Sequence, residues 1–217
     1  MQRLAESFLT ALEQQRINEA VQHAERQTSG EIVPMVISAS HHYPLAAASG
    51  GVFLALPLAL MLTSLLGSTL WLGSQSMWLF LLFSTILYLP ARAFVAHSVV
   101  LKRFFLRADQ VEEEVEEAAI TSFYREELYR TRDQNGILIF ISVLERRVYI
   151  LGDRGIDAKI NDNGWQDIVS GLTAGIRRGK QGEALLTAVN QVGEILKQHF
   201  PIQEGDRNEL HNLIIRS

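Results

Sequence analysis

The sequence contains no cysteine. This absence excludes disulfide bonds, zinc sites built from thiolates and a cysteine nucleophile. The sequence also lacks three patterns that would point to an activity: the ligand spacing of an EF-hand, a glycine-rich phosphate loop, and a Ser–His–Asp arrangement with recognisable flanking residues. No motif therefore assigns a catalytic mechanism.

Charge is missing from one long segment. Between Glu31 and Arg92, residues 32–91 contain no Asp, Glu, Lys or Arg. Within this segment Leu45–Leu66 is long enough, at about 1.5 Å per helical residue, to cross the core of a bilayer. A second apolar run covers Met77–Ala91 and can extend to Val100. The ten residues between the runs, 67–76, suffice only for a turn, so we predict a transmembrane helical hairpin.

Two buried helices of a soluble core are the alternative interpretation. A soluble helix of this length normally has a polar face, whereas Leu45–Leu66 offers only small residues such as Ser49, Thr63 and Ser64. Small residues are typical of membrane helices that pack closely against each other. The residues that precede the run are polar and mixed in charge, which excludes a cleaved signal peptide. The pattern therefore favours the membrane hairpin.

The cations that flank the hairpin predict its orientation. They are Arg3, Arg16 and Arg26 before the first span, and Arg92, Lys102, Arg103 and Arg107 at and after the end of the second span. Residues 67–76 carry no cation. By the positive-inside rule, both ends of the hairpin and the soluble parts of the chain face the cytoplasm. The net charge of −4 and the lack of a basic stripe elsewhere argue against a nucleic-acid partner.

The rest of the chain alternates between helical and strand patterns. The predicted strands are Glu31–Ser38, Gly136–Val143 and Val148–Leu151, and the predicted helices run from about Thr10 to Gln27, His97 to Tyr129, Trp165 to Arg178 and Glu183 to His199. Pro34 cannot donate to a strand ladder, so we expect an edge or a bulge there. The predicted fold class is α/β, a small mixed sheet flanked by helices, with the two-helix transmembrane hairpin inserted after the first strand.

These elements predict one discontinuous domain. Residues 1–40 and 101–200 should fold together, because neither piece alone has enough apolar strands to close a core. Residues 45–100 form the hairpin, and residues 201–217 form a C-terminal tail.

Several short stretches, in their order along the chain, resemble the TPM domain family. They are Thr28–Val33, Thr131–Gly136, Glu145–Leu151, Asp153–Ile156, Gly182–Leu185 and Asn208–Leu210. The chain resembles the bacterial membrane branch of this family, in which a hairpin follows the first strand. The resemblance extends over nearly the whole chain and implies a multi-pass protein of the bacterial inner membrane.

The resemblance also implies a candidate site. Some members are described as acid phosphatases, and some bind a divalent cation, usually calcium, in an acidic pocket at the strand ends. Others act as assembly or maintenance factors for membrane complexes. Carried over by position, the pocket residues are Glu31, Asp133, Asn135, Asp153 and Asp162.

The residues themselves allow two interpretations of this site. Asp133, Asn135 and Asp153 fall at strand ends, where oxygen ligands for a hard cation can converge. Alternatively, Asp133 and Asn135 shape the turn into a strand and Asp153 caps a loop. We favour the structural role for Asp133 and Asn135, and we leave both roles open for Asp153.

Two classes of function follow. The first is a membrane-anchored, non-catalytic interaction or maintenance factor, whose partners are the lipid bilayer and a membrane protein complex. The second is a weak phosphatase that depends on a divalent cation such as calcium. We favour the first, because no set of nucleophile, base and anion-binding group can be assembled from the sequence.

Overall fold

Four strands form one mixed sheet in the computed structural model, which describes residues 4–69, 76–160, 163–202 and 212–216. They are β1 (Glu31–Ile37), β2 (Gly136–Ser142), β3 (Arg147–Gly152) and β4 (Ile214–Arg216), in the sheet order β3-β2-β1-β4. Strand β1 is parallel to both β2 and β4, and β2 is antiparallel to β3. The predicted α/β class is confirmed, and so is the pairing of β1 with β2.

The helices follow the chain order that the sequence predicts, with differences in their limits. They are α1 (Ala11–Glu25), α2 (Pro44–Thr69), α3 (Ser76–His97), α4 (Val99–Phe104), α5 (Ala108–Arg125), α6 (Arg154–Asp157), α7 (Asn163–Arg177) and α8 (Gln181–His199). Their contacts divide the chain into two units. The first comprises residues 1–41 and 112–217 and contains the sheet, and the second comprises residues 42–111.

The core of the first unit is centred on β2. All seven residues of this strand are buried, as expected for a central strand covered on both faces. Helix α1 contributes Ile17 and Val21, and α8 contributes Val189 and Val192. A capping box fixes the start of α1, because Thr10 Oγ1 accepts from the N–H of Glu13 and the Glu13 carboxylate accepts from the N–H of Thr10.

The structure has no bulge at Pro34, so that alternative was wrong, but among the described residues β1 has a strand neighbour on one side only at this residue, as the predicted edge requires. Strand β1 runs between β2 and β4, and its register with β2 is continuous from Glu31 to Ile37. The N–H of Ser38 points to the β4 side, where it donates to the carbonyl of Arg216. Because N–H groups alternate along a strand, Pro34 faces the same side. Strand β4 pairs only from Met35 onward, so Pro34 leaves no ladder bond unmade.

The predicted long helix from His97 to Tyr129 was also wrong, because the chain forms separate helices there. Helix α3 ends at His97, and the hydroxyl of Ser98 accepts from the N–H of Leu101 at 3.4 Å to begin α4. A serine that caps a helix in this way favours a new start over continuation. Helix α5 then begins at Ala108.

Two helices of the second unit are long and apolar enough to cross a membrane. The qualifying segments are Pro44–Leu66 and Met77–His97, with mean hydropathies of 2.1 and 1.8. They follow β1 in the chain, as an inserted hairpin requires. A Cβ atom added at Gly51 would lie 2.9 Å from the Cβ of Arg92, so α2 and α3 approach closely at this small residue. Part of the predicted connection, residues 70–75, lies outside the described residues.

The sequence reasoning missed β4. The three residues Ile214–Arg216 lie in the predicted C-terminal tail and pair with Met35–Ile37 of β1. A three-residue strand shows too little alternation for its pattern to be recognised.

Candidate functional site

The strand register brings three of the predicted site residues to one edge of the sheet. Glu31 opens β1 and pairs with Gly136, so Asn135 lies at the same edge. Strand β3 runs in the opposite direction and ends with Gly152 opposite Ile137, which places Asp153 at this edge too. Backbone hydrogen bonds hold these residues together: the N–H of Glu31 donates to the carbonyl of Asn135, and the N–H of Asp153 donates to the carbonyl of Gly136.

Asn135 has a structural role in this edge. Its side chain is 2 % exposed, and its amide Nδ2 donates to the backbone carbonyl of Ser29. Its own backbone N–H donates to the hydroxyl of Thr131 at 3.1 Å. The side chain therefore links the residues just before β1 to the residues just before β2, and it satisfies the hydrogen-bonding need of the buried Ser29 carbonyl.

Asp153 caps helix α6, and one of its oxygens remains unused. Its Oδ1 accepts from the N–H of Arg154 at 2.7 Å. Its Oδ2 is buried and has no hydrogen-bond partner among the described residues. Gly155 allows the loop to close, because a Cβ atom there would lie 2.5 Å from the carbonyl oxygen of Gln134.

The remaining predicted site residues contribute less. Asp133 is exposed on the loop that precedes Asn135, and Glu31 is buried at the start of β1. Asp162 lies outside the described residues.

The donor set can be compared with what calcium requires. Calcium takes about six to eight oxygen ligands. Within the described ranges, no group of three or more His, Asp or Glu side chains is positioned to hold a metal ion. A calcium ion at this edge would therefore need Asn or backbone oxygens in addition to the acidic side chains, and the predicted metal site stays a prediction.

Sequence reasoning missed Glu25, which lies beside this edge. Its Oε1 accepts from the N–H of Ile32 at 3.3 Å. Burial raises the pKa of Glu25 to about 8, and the nearby charge of Glu31 adds to the shift. The available signal was position, since Glu25 ends α1 and Glu31 opens β1 after a short turn.

A cavity of about 490 Å³ lies next to the Asp153 loop. Its lining includes Asp153, Arg154 and Gln134 as well as Tyr124 and Tyr129. The two tyrosine ring centroids are 5.5 Å apart. The carboxylate Oδ2 of Asp153 has almost no accessible surface, so a ligand in this cavity could reach it only after the loop moves.

A second cavity, of about 540 Å³, lies where β1 and β4 end. His41 and Arg125 line it, and His41 Nδ1 lies 3.1 Å from the Glu114 carboxylate. Ser40 also lines it, and its hydroxyl donates to the hydroxyl of Ser142 at 3.0 Å. Open α/β sheets commonly bind ligands at the carboxyl ends of their parallel strands. Charges of both signs line this cavity, so its composition alone selects no ligand class.

Comparison with known proteins adds the family information. Residues 99–195 match the TPM domain. The match contains Asp133, Asn135 and Asp153 and leaves out Glu31. No curated protein matches the sequence.

The fold is similar to that of a solved bacterial protein. The NMR structure of the BA42 protein from the psychrophilic bacterium Bizionia argentinensis superposes with a TM-score of 0.60 at 21 % sequence identity. The alignment covers 98 % of this chain and 97 % of that chain. At this identity the likeness concerns the fold alone.

Proposed function

We propose that this protein is a membrane-anchored, TPM-like domain that serves as a non-catalytic interaction or maintenance factor for a membrane protein complex. One observation carries the proposal. Two polar side chains at this edge of the sheet form hydrogen bonds with the backbone. Asn135 donates to the carbonyl of Ser29, and Asp153 accepts from the N–H of Arg154. A hydrolytic site needs a nucleophile, a base and an anion-binding group within reach of one substrate. This edge supplies no such set among the described residues.

Helices α2 and α3 provide the proposed anchor. Only 6 % of the apolar window in α3 is buried, whereas the core helix of a soluble protein buries most of its surface. Trp78 and Leu89 are 68 % and 66 % exposed, which is costly in water and favourable in lipid. We propose that both helices cross the bacterial inner membrane, with the unit that contains the sheet, residues 1–41 and 112–217, on the cytoplasmic side.

Purification from native membranes tests the interaction role. The full-length tagged chain is extracted in mild detergent and separated by size, with a tagged two-span protein of similar size as the control. The proposal expects a membrane protein to co-migrate with the chain in a fixed ratio and to be absent from the control. A chain that migrates alone after crosslinking in intact membranes would contradict the proposal.

A cation-dependent phosphatase is the second candidate, favoured by two features of the same edge. Glu31, Asn135 and Asp153 lie at the same edge of the sheet, and Asp153 Oδ2 lacks a partner among the described residues. Calcium binding would need Asp162 or backbone oxygens in addition.

This candidate expects calcium to raise the melting temperature and to support hydrolysis of p-nitrophenyl phosphate. Both effects should be lost in Asp153→Asn, which keeps the helix cap because Asn caps as well as Asp. Insensitivity of the unmutated chain to calcium would eliminate this candidate.

A further inference from the structure

Helix α4 presents two large apolar side chains to its surroundings. Val100 and Phe104 are 75 % and 77 % exposed, the two highest values among the exposed large hydrophobic residues of the described chain. They are four residues apart, so they lie on the same face of the helix, one turn from each other. Contiguous exposed apolar side chains are typical of surfaces that contact a protein or a membrane.

The opposite face of α4 is fixed to the start of α2. Lys102 is 3 % exposed, and its ammonium group donates to the backbone carbonyl of His42. The ring of Phe105, just after α4, lies 5.7 Å from the ring of Phe53 in α2. A Cβ atom at Gly50 would lie 2.8 Å from the Phe105 ring, so this ring packs directly on the helix backbone. The outward direction of Val100 and Phe104 is therefore set by packing.

The segment that contains α4 is rich in cations, and the first acidic residue after it, Asp109, pairs with Arg107 at 2.7 Å on the exposed surface. Residues 92–107 contain Arg92, Lys102, Arg103 and Arg107 and no Asp or Glu. Cations next to apolar side chains match the chemistry of a membrane surface, where anionic phosphates lie above the acyl chains. An apolar protein groove would match Val100 and Phe104 but not the positive charge of the segment that carries them.

We propose that α4 lies in the membrane interface and binds anionic phospholipid. Val100 and Phe104 enter the boundary between headgroups and acyl chains, and the guanidinium groups of Arg103 and Arg107 contact the lipid phosphates. The occupant of this face is the lipid surface itself. The inference rests on the proposed function, in that α2 and α3 must span the membrane, and it adds a lipid-binding element outside the two spans.

Spin labelling tests the position of α4 in the full-length chain. Because the sequence has no cysteine, single cysteines can be placed at Val100 and Phe104, at Phe53 in α2, and at the exposed Glu113 in α5. The labelled chains are reconstituted in vesicles of phosphatidylcholine and phosphatidylglycerol. Collision with oxygen reports lipid, and collision with a nickel chelate reports water. We expect positions 100 and 104 to favour oxygen, as position 53 does, and position 113 to favour nickel.

The other outcomes separate this inference from the proposed anchor. If position 53 favours oxygen while 100 and 104 favour nickel, the spans stand and the role of α4 is wrong. If 100 and 104 are shielded from both reagents, they contact protein, which also overturns the inference. If position 53 favours nickel, the membrane anchor itself fails and the α4 inference fails with it.

Lipid charge provides a second readout. Replacing the anionic lipid by phosphatidylcholine alone should move the label at position 104 toward water. The double variant Arg103→Gln, Arg107→Gln should remove this dependence on lipid charge, whereas Arg177→Gln and Arg178→Gln, at the end of α7 in the other unit, should leave it unchanged. A label depth that ignores both the lipid charge and the double variant would overturn the anionic-lipid part of the inference.

Discussion

Asn135 donates a hydrogen bond from its side-chain amide to the backbone carbonyl of Ser29, 106 residues earlier in the chain. Both residues are buried, at 2 % and 5 % exposure. The bond joins the residue before β2 to the turn before β1, and the whole predicted hairpin lies between them in sequence. After the predicted hairpin the chain returns to the sheet at β2, and Asn135 bonds the start of β2 to the turn before β1.

Removal of the Asn135 amide should destabilise the first unit. Asn135→Ala leaves the buried carbonyl of Ser29 without a donor, which costs about 1–3 kcal/mol of unfolding free energy. Asp133→Ala, two residues away and exposed, should change it by no more than about 0.5 kcal/mol. Hydrogen–deuterium exchange of the β1 and β2 amides in the full chain measures both. Equal protection in the two variants would contradict the structural role of Asn135.

Two glycines of α7 should respond oppositely to alanine. A Cβ atom at Gly175 would lie 2.3 Å from the Cβ of Ala184 in α8, whereas one at Gly171 meets nothing within 4 Å. Gly175→Ala should therefore cost about 1–3 kcal/mol by overpacking. Gly171→Ala should stabilise the helix by up to about 1 kcal/mol. Urea unfolding in detergent, followed by near-ultraviolet circular dichroism, compares the two. A Gly175→Ala chain as stable as the parent would contradict the close packing of α7 on α8.

Strong periodic and apolar patterns made most of the fold predictable. The apolar run Gly136–Val143 predicted strand β2, and the helical pattern from about Thr10 predicted α1. The charge-free segment predicted two long apolar helices after β1. In each case many neighbouring residues favour the same structure.

The elements that were missed depend on contacts between distant residues. Pro34 is tolerated inside β1 because β4 begins its pairing one residue later, which no local pattern reveals. The pKa of Glu25 depends on burial and on Glu31, both products of the tertiary fold. Asn135 and Asp153 were recognised as site candidates, but their bonding partners became apparent only from the structure.

The raised pKa of Glu25 predicts a loss of stability with rising pH. In the folded chain this carboxyl has a pKa of about 8, against 4.5 for the ordinary group. Between these values the folded state retains a proton that the unfolded state releases, so unfolding free energy falls as pH rises, by at most about 1.4 kcal/mol per pH unit. Glu25→Gln should flatten the profile between pH 5 and 8 and raise stability at pH 8. Glu19→Gln, exposed on the same helix, should leave the slope unchanged. A parent chain whose urea midpoint is constant over this range would contradict the shifted pKa.

The membrane topology of the chain depends on the distribution of cations. Arg92, Lys102, Arg103 and Arg107 stand at and after the end of the second apolar helix, and residues 67–76 carry none. A reporter that is active only outside the cytoplasm should therefore be active when inserted between α2 and α3 and inactive when fused after Ser217. A fluorescent reporter that matures only in the cytoplasm should show the opposite pattern.

Neutralising the four cations to Gln while adding lysines between the helices should weaken or reverse the orientation, because the bias in Lys and Arg sets it. The same number of lysines added after Ser217 is the control and should change nothing. Cytoplasmic activity at both positions in the parent chain would mean that the helices do not cross the membrane, and exported activity at Ser217 would mean that the soluble unit lies on the other side.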